Sequence, residues 1–242
     1  MSTPPTLAPE TARHGAAGAM TLRVEGLGIR LPDGRSLVDR LAFSVEPGVV
    51  LAVMGQSGSG KSSVLAWLSG TLDPHLHARG KLWLGDTRLD TLPTERRRLG
   101  LMLQQDYLFP HMSVGDNLLF GLRGGNRRAR ARRVEEALEG AGLGGMATRD
   151  PATLSGGQRA RVSLLRTLLS EPCALLLDEP FSRLDTARRE QIRAFTWEAA
   201  RALPVLLVTH DLADVPSGAR VLEIGEDALP DRLSLVRPGE AR

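Results

Sequence analysis

Val49-Val50-Leu51-Ala52-Val53-Met54 runs straight into Gly55-Gln56-Ser57-Gly58-Ser59-Gly60-Lys61-Ser62, and this junction decides the fold. An uninterrupted apolar run of this length is typical of a strand buried on both faces. After the glycines, residues 61–68 put Val64, Leu65 and Leu68 on one helical face. The octad fits G-x-x-x-x-G-K-[ST] in the context that gives it meaning, strand before and helix after. Its glycines let the backbone wrap phosphates, Lys61 reaches the β and γ phosphates, and the Ser62 hydroxyl ligates Mg²⁺. An ordinary glycine-rich turn is the competing reading, and the flanking strand and helix disfavour it. Lys61 is informative for another reason: only it and Lys81 are lysines in a chain that otherwise uses arginine.

Two later runs end on chemistry in the same way. Leu175-Leu176-Leu177 leads into Asp178-Glu179, and Val205-Leu206-Leu207-Val208-Thr209 leads into His210. The carboxyl ends of strands in an open parallel sheet form the ligand crevice. Asp178 suits the surroundings of Mg²⁺, and Glu179 a water beside the γ-phosphate, as base or orienter. A helix-capping pair would not explain why the apolar residues lead directly into two acids. A lone histidine is more often structural, but the place of His210 favours a γ-phosphate contact. Gln104 follows Leu99 to Leu103 and could touch Mg²⁺ or the attacking water; Gln105 is an equal candidate on spacing alone.

Leu154-Ser155-Gly156-Gly157-Gln158 is a second glycine-rich turn at a second helix start. Free backbone N–H groups and the helix dipole make such a turn a second anion site. One chain therefore carries two phosphate-binding helix ends.

Composition narrows the classes. The 242 residues suit one large domain or a core with an inserted subdomain. No apolar run approaches the roughly 20 residues of a membrane span. Residues 1–20 read as a disordered tail without the apolar segment of a secretory signal, and Met20 is an alternative start. The single cysteine, Cys173, fits a reducing compartment and a buried, inert thiol. Formal net charge is only +3. The densest basic cluster, Arg127, Arg128, Arg130, Arg132 and Arg133, is followed by Glu135, Glu136 and Glu139, as on a solvated helix. Without interleaved aromatics it does not predict a nucleic-acid partner. His14, His75, His77 and His111 lack metal-ligand spacing with Cys or acids.

Short alternations at Leu22–Val24, Ile29–Leu31 and Leu41–Val45 predict edge strands, with a turn at Pro32-Asp33-Gly34. Helical patterns cover residues 117–122, 133–143, 159–170 and 186–202. Strands at 174–177, 205–208 and 221–224 complete a parallel α/β pattern.

Together these motifs resemble the ATP-binding cassette (ABC) ATPases, from about Leu22 to Val215. Gly55 to Ser62 looks like the Walker A loop, with Ser63 following it. Leu154 to Gln158 looks like the ABC signature, and Leu175 to Glu179 like Walker B with the catalytic glutamate. Ser182-Arg183-Leu184-Asp185 is similar to the D-loop, with Arg183 where Ala is usual. His210 matches the switch histidine and Gln104 the Q-loop glutamine. The resemblance implies an α/β P-loop NTPase: a RecA-like core with a mixed sheet, an antiparallel β edge, and a helical subdomain inserted at about 105–170. The domain would span 21–225, leaving 226–242 as a short C-terminal tail.

It also implies ATP and Mg²⁺ as cofactors. Two subunits would pair head to tail, most simply as a homodimer, each signature covering the other's ATP. Asp185 and Ser155 to Gln158 would then serve a partner's nucleotide. Leu108 to Asn117 is similar to the segment of thiamine, molybdate, iron and polyamine importer ATPases that lines the groove for a permease. Integral permease subunits, a substrate-binding protein and a place on the cytoplasmic face of the membrane follow from that likeness. An exporter ATPase, or a soluble member acting on nucleic acid or the ribosome, is the alternative. Translation-type members carry two cassettes and repair-type members a long coiled coil; this chain has neither. The family usually stacks adenine on an aromatic residue of the first β-hairpin. Leu31 holds that position here, which predicts weaker ATP affinity or base selectivity.

Overall fold

A computed structural model describes residues 20–182, 184–225 and 233–235. Residues 1–19 of the expected N-terminal tail and Arg183 lie outside the described residues. The chain begins with β1 (Leu22–Arg30), β2 (Ser36–Val45), β3 (Val50–Met54) and α1 (Lys61–Ser69). It continues through β4 (His77–Leu84), β5 (Thr87–Arg88) and β6 (Leu99–Met102). Three helices follow, α2 (Val114–Gly121), α3 (Arg127–Gly140) and α4 (Gly156–Leu169). β7 (Ala174–Asp178), α5 (Thr186–Ala199), β8 (Val205–Val208), β9 (Arg220–Glu223) and β10 (Leu233–Leu235) complete it. Contacts divide these elements into an α/β unit and a helical unit.

The α/β unit takes residues 20–101, Cys173–Glu179, 200–225 and 233–235. Its central sheet has the order β10-β9-β3-β8-β7-β6. β3 pairs in parallel with β8 and β9, and β8 with β7, while β10 runs antiparallel to β9. The sheet is thus mixed, as expected, though β10 falls in the segment read as a tail. Leu51, Ala52 and Val53 are fully buried, as are Leu175, Leu176 and Leu177. Strands covered on both faces account for the continuous apolar runs. Replacing one such Leu by Ala would cost about 2–5 kcal/mol.

The edge sheet has the order β2-β1-β4-β5 and is antiparallel throughout. Here the structure differs from the two short strands expected at its start. β1 is continuous, but its buried residues are Leu22, Val24, Leu27 and Ile29. The alternation changes parity at a bulge between Val24 and Leu27, where Gly26 has φ 60°. One extra residue flips the faces, so the pattern reads as two fragments. β4 was not anticipated. Its first half, His77-Ala78-Arg79, is exposed, and only Leu82 and Leu84 are buried.

The helical unit takes Met102–Pro172 and Pro180–Ala199. Its core joins Val114 and Leu118 of α2, Val134 and Leu138 of α3, and Val162 and Leu165 of α4. Each of these helices starts on a side-chain cap: Ser113, Asn126 and Ser155. The first two caps explain why α2 and α3 begin earlier than apolar periodicity alone predicts. Buried Asn117 ties down the segment before α2, accepting Phe109 N–H at 2.8 Å and donating to the Phe109 and Ser113 carbonyls. Among the described residues, no helix is long and apolar enough to cross a membrane.

Candidate nucleotide-binding site

Parallel pairing brings the ends of β3, β8 and β7 to one edge of the sheet. Val53 lies beside Val208, and Val208 beside Asp178. The phosphate loop, His210 and Glu179 follow directly from those strand ends. Gly55 cannot be replaced there, because a Cβ would collide with the Ile224 carbonyl oxygen at the end of β9. Gly60 has φ 93° and precedes α1 with no side-chain cap. The first backbone bond of α1 is Val64 N–H to the Gly60 carbonyl, at 2.9 Å. The N–H groups of Lys61, Ser62 and Ser63 therefore have no acceptor inside the helix.

Lys61 is buried, and its ammonium spans the loop. Nζ donates to the Gly55 carbonyl at 2.8 Å, the Gln56 carbonyl at 2.6 Å and Ser59 Oγ at 3.4 Å. The loop is thus closed around a cation that faces a cavity of 440 Å³. Leu37, Ser57, Lys61, Ser62, Ser63, Glu179, His210 and the loop glycines Gly55, Gly58 and Gly60 line it. Uncapped N–H groups, a fixed ammonium and positive-φ glycines fit a polyphosphate. The cavity lies in the size range of small-molecule sites.

The metal donor set also fits. Asp178 lies behind Ser62 and accepts its hydroxyl proton. Burial and the adjacent Glu179 push the Asp178 carboxyl above its ordinary range, opposed by the Ser62 bond and the Lys61 charge. No group of three or more His, Cys, Asp or Glu side chains could hold an ion among the described residues. Mg²⁺ usually binds one or two protein oxygens and completes its shell with waters and phosphate, which Ser62 with Asp178 behind it satisfies.

Glu179 has φ 45°, a left-handed conformation uncommon for a non-glycine residue. Its N–H bonds the Val208 carbonyl at 2.9 Å, and its Oε1 lies 3.2 Å from His210 Nδ1. The sheet thus holds an aimed carboxyl at the cavity wall. Leu31 is not among the lining residues; it closes the turn after β1, its N–H bonded to the Arg35 carbonyl. Leu37 of β2 supplies the apolar wall instead, and sequence reasoning missed it. No sequence signal marks it; the fold brings Leu37 and Val38 of β2 to the place where a Gly60 Cβ would sit.

The remaining candidates belong to the helical unit. Gln104 Nε2 donates to Ser182 Oγ at 3.3 Å. Asp185 accepts Arg188 N–H at 3.0 Å at the start of α5. Ser155 and Gln158 form a reciprocal capping box: Ser155 Oγ accepts Gln158 N–H, and Gln158 Oε1 accepts Ser155 N–H at 2.9 Å. Gly156 and Gly157 keep N–H groups without helical acceptors. Gly157 is buried, and a Cβ there would touch the Arg188 side chain.

Residues 38–182 match the family model described as ABC transporter. The chain belongs to this family. As an ABC protein it is an ATP-binding subunit, an ATPase coupled to transport. It is 48% identical over 210 residues to the Uncharacterized ABC transporter ATP-binding protein YnjD of Escherichia coli (strain K12), covering 85% of this chain and 95% of that one. It is 41% identical over 188 residues to the Molybdenum import ATP-binding protein ModC of Brucella melitensis, covering 72% of this chain and 51% of that one. It is also 41% identical over 175 residues to the Fe(3+) ions import ATP-binding protein FbpC 1 of Rhizobium meliloti, covering 71% and 49%. The chain thus spans nearly all of the first relative and about half of the other two.

Proposed function

We propose that this ABC ATPase powers import across a membrane as one of two head-to-tail subunits docked on integral permease subunits, with a substrate-binding protein delivering the cargo. The importing relatives support the direction. The observation that carries the pairing is chemical. The α/β unit holds a cation, a metal-competent hydroxyl and an aimed carboxyl around one cavity. The turn at Ser155 to Gln158 offers donors at a helix start and no titratable group of its own. It can bind an anion but cannot transform one.

Bound ATP and Mg²⁺ would supply the phosphoryl group to be transferred and the cation that offsets its charge. Lys61 and the N–H groups of Lys61, Ser62 and Ser63 hold the anion at the helix start. Ser62 Oγ and, behind it, Asp178 are assigned to the metal; Gln104 is assigned to it on the family resemblance. Glu179 Oε is the atom placed to orient a water and take its proton. His210 Nδ1 holds that carboxyl in place. Such a subunit would work at the cytoplasmic face, peripheral to the membrane and without nucleic acid.

Glu179→Gln tests the reading in the full chain. Hydrolysis should fall about 10²–10⁴-fold, the scale of lost general-base catalysis, while ATP binding persists. Size-exclusion chromatography with light scattering should find an ATP-dependent dimer. A variant that hydrolyses like the native chain, or stays monomeric with ATP, would overturn the assignment.

A further inference from the structure

Two buried polar side chains beside the site have no part in the chemistry above. Thr209 is 1% exposed and Asp214 2%. Thr209 Oγ1 donates to Asp214 Oδ2 at 3.0 Å and accepts Asp211 N–H at 3.1 Å. Asp214 ends a 3₁₀ turn, Leu212–Asp214, that Asp211 caps by accepting Ala213 N–H at 2.9 Å. Thr209 N–H reaches the Val53 carbonyl at 3.3 Å, joining this turn to the strand that carries the phosphate loop. His210 lies inside that frame. Its own side chain is 64% exposed, so packing does not fix it.

A hydroxyl has one proton and two lone pairs. Given to Asp214, the proton leaves the lone pairs for Asp211 N–H, and the backbone on either side of His210 is pinned. Without Asp214 the hydroxyl has the Asp211 carbonyl within reach, at 3.4 Å. Turning that way would aim the hydroxyl proton into the turn it now receives. Hydrogen bonds away from water hold geometry more firmly than exposed ones. We infer that Asp214, acting through the Thr209 hydroxyl, is a positioning residue for the contact between His210 and Glu179. The inference rests on Glu179 being the hydrolytic group.

The full chain is tested by ATP hydrolysis and ATP binding, with thermal melting as the check on folding. Thr209→Val is nearly isosteric and should lower kcat about 10–100-fold, the scale of a misplaced reacting group, with KM close to native. Thr209→Ser, which restores the hydroxyl, should return kcat to within about threefold of native. Asp214→Asn keeps an acceptor and should behave like Thr209→Ser. Asp214→Ala should match Thr209→Val, and the two together should lose no more than either alone. Native kcat in Thr209→Val, a raised KM with unchanged kcat, or fully additive losses would each overturn the inference. If Asp214→Ala does not fold, the Val and Ser variants of Thr209 decide. Failure of the broader reading looks different: Glu179→Gln would then remain active.

Discussion

Helices α1 and α4 both begin at glycine-rich turns, and they begin in opposite ways. α1 starts after a left-handed Gly60 with no side-chain cap, and a buried lysine crosses its mouth. α4 starts at an extended Ser155 and closes its own end with a reciprocal capping box. A capped helix start is stable without a ligand, whereas an uncapped one leaves donors seeking an acceptor. The α1 end thus leaves donors open to a cavity that Lys61, Glu179 and His210 also line. The α4 end is built to persist alone and to present the two remaining glycine N–H groups. In the proposed function the first end is the reaction site, and the second serves an anion held by the partner subunit.

The largest effect tests that division directly. In the Glu179→Gln chain, adding Lys61→Met removes the cation at one end, and adding Ser155→Arg blocks the other. Neither double variant should form the ATP-dependent dimer. An equimolar mixture should recover it, because one of its two composite sites keeps both an intact Lys61 and an intact Ser155. Light scattering reads this as all or nothing, and a mixture that stays monomeric would break the head-to-tail reading. Lys61→Met alone is the next effect in size. Hydrogen bonds from charged groups contribute about 1.5–3 kcal/mol, so ATP affinity should fall about 10–100-fold by calorimetry. Unchanged affinity would mean that the Lys61 ammonium only closes its own loop.

The far ends of the two helices sharpen the comparison. α1 has no basic residue in its last turn; a left-handed Gly70 caps it through its N–H to the Ala66 and Trp67 carbonyls, and Arg97, distant in sequence, clamps the same end. Its guanidinium donates to the Trp67 carbonyl at 2.7 Å, the Leu68 carbonyl at 2.8 Å and the Leu92 carbonyl at 3.0 Å. Burial lowers its pKa, with Asp90 opposing. α4 ends on local Ser170, whose Oγ donates to the Thr167 carbonyl at 2.7 Å. Arg97→Met would take this donor from the Leu68 and Leu92 carbonyls, while Trp67 keeps the Gly70 N–H, and should cost about 1–3 kcal/mol. Ser170→Ala should cost under about 1 kcal/mol. Thermal melts showing equal losses would mean that α1 does not depend on its distant clamp.

The parts legible in the sequence were those written locally. The octad after β3, the two acids at the end of β7 and the histidine after β8 each lie within a few residues of the apolar run that announces them. The reading failed where tertiary contact decides. The bulge at Gly26 divides β1 into two apparent fragments, and β4 hides its two buried leucines behind an exposed basic start. Arg97 and Asp214 look like surface charges until the chain brings backbone carbonyls to one and a threonine hydroxyl to the other. Leu37 belongs here too, since only folding sets β2 against the phosphate loop.

That last case carries the smallest expected effect. Leu31 holds the position where the family resemblance expects an adenine-stacking ring, but the cavity wall is Leu37. An aromatic face adds about 0.5–1.5 kcal/mol beyond simple burial, so Leu31→Tyr should raise ATP affinity about 2–10-fold and GTP affinity less. Leu37→Ala should instead weaken both nucleotides similarly, because an aliphatic wall does not distinguish one purine from another. Equilibrium binding of ATP and GTP to the three chains separates the roles. If Leu31→Tyr binds both nucleotides as the native chain does, the base is not seated against the β1–β2 turn. The apolar contact would then belong to Leu37 alone, and base selectivity would have to come from outside the hairpin.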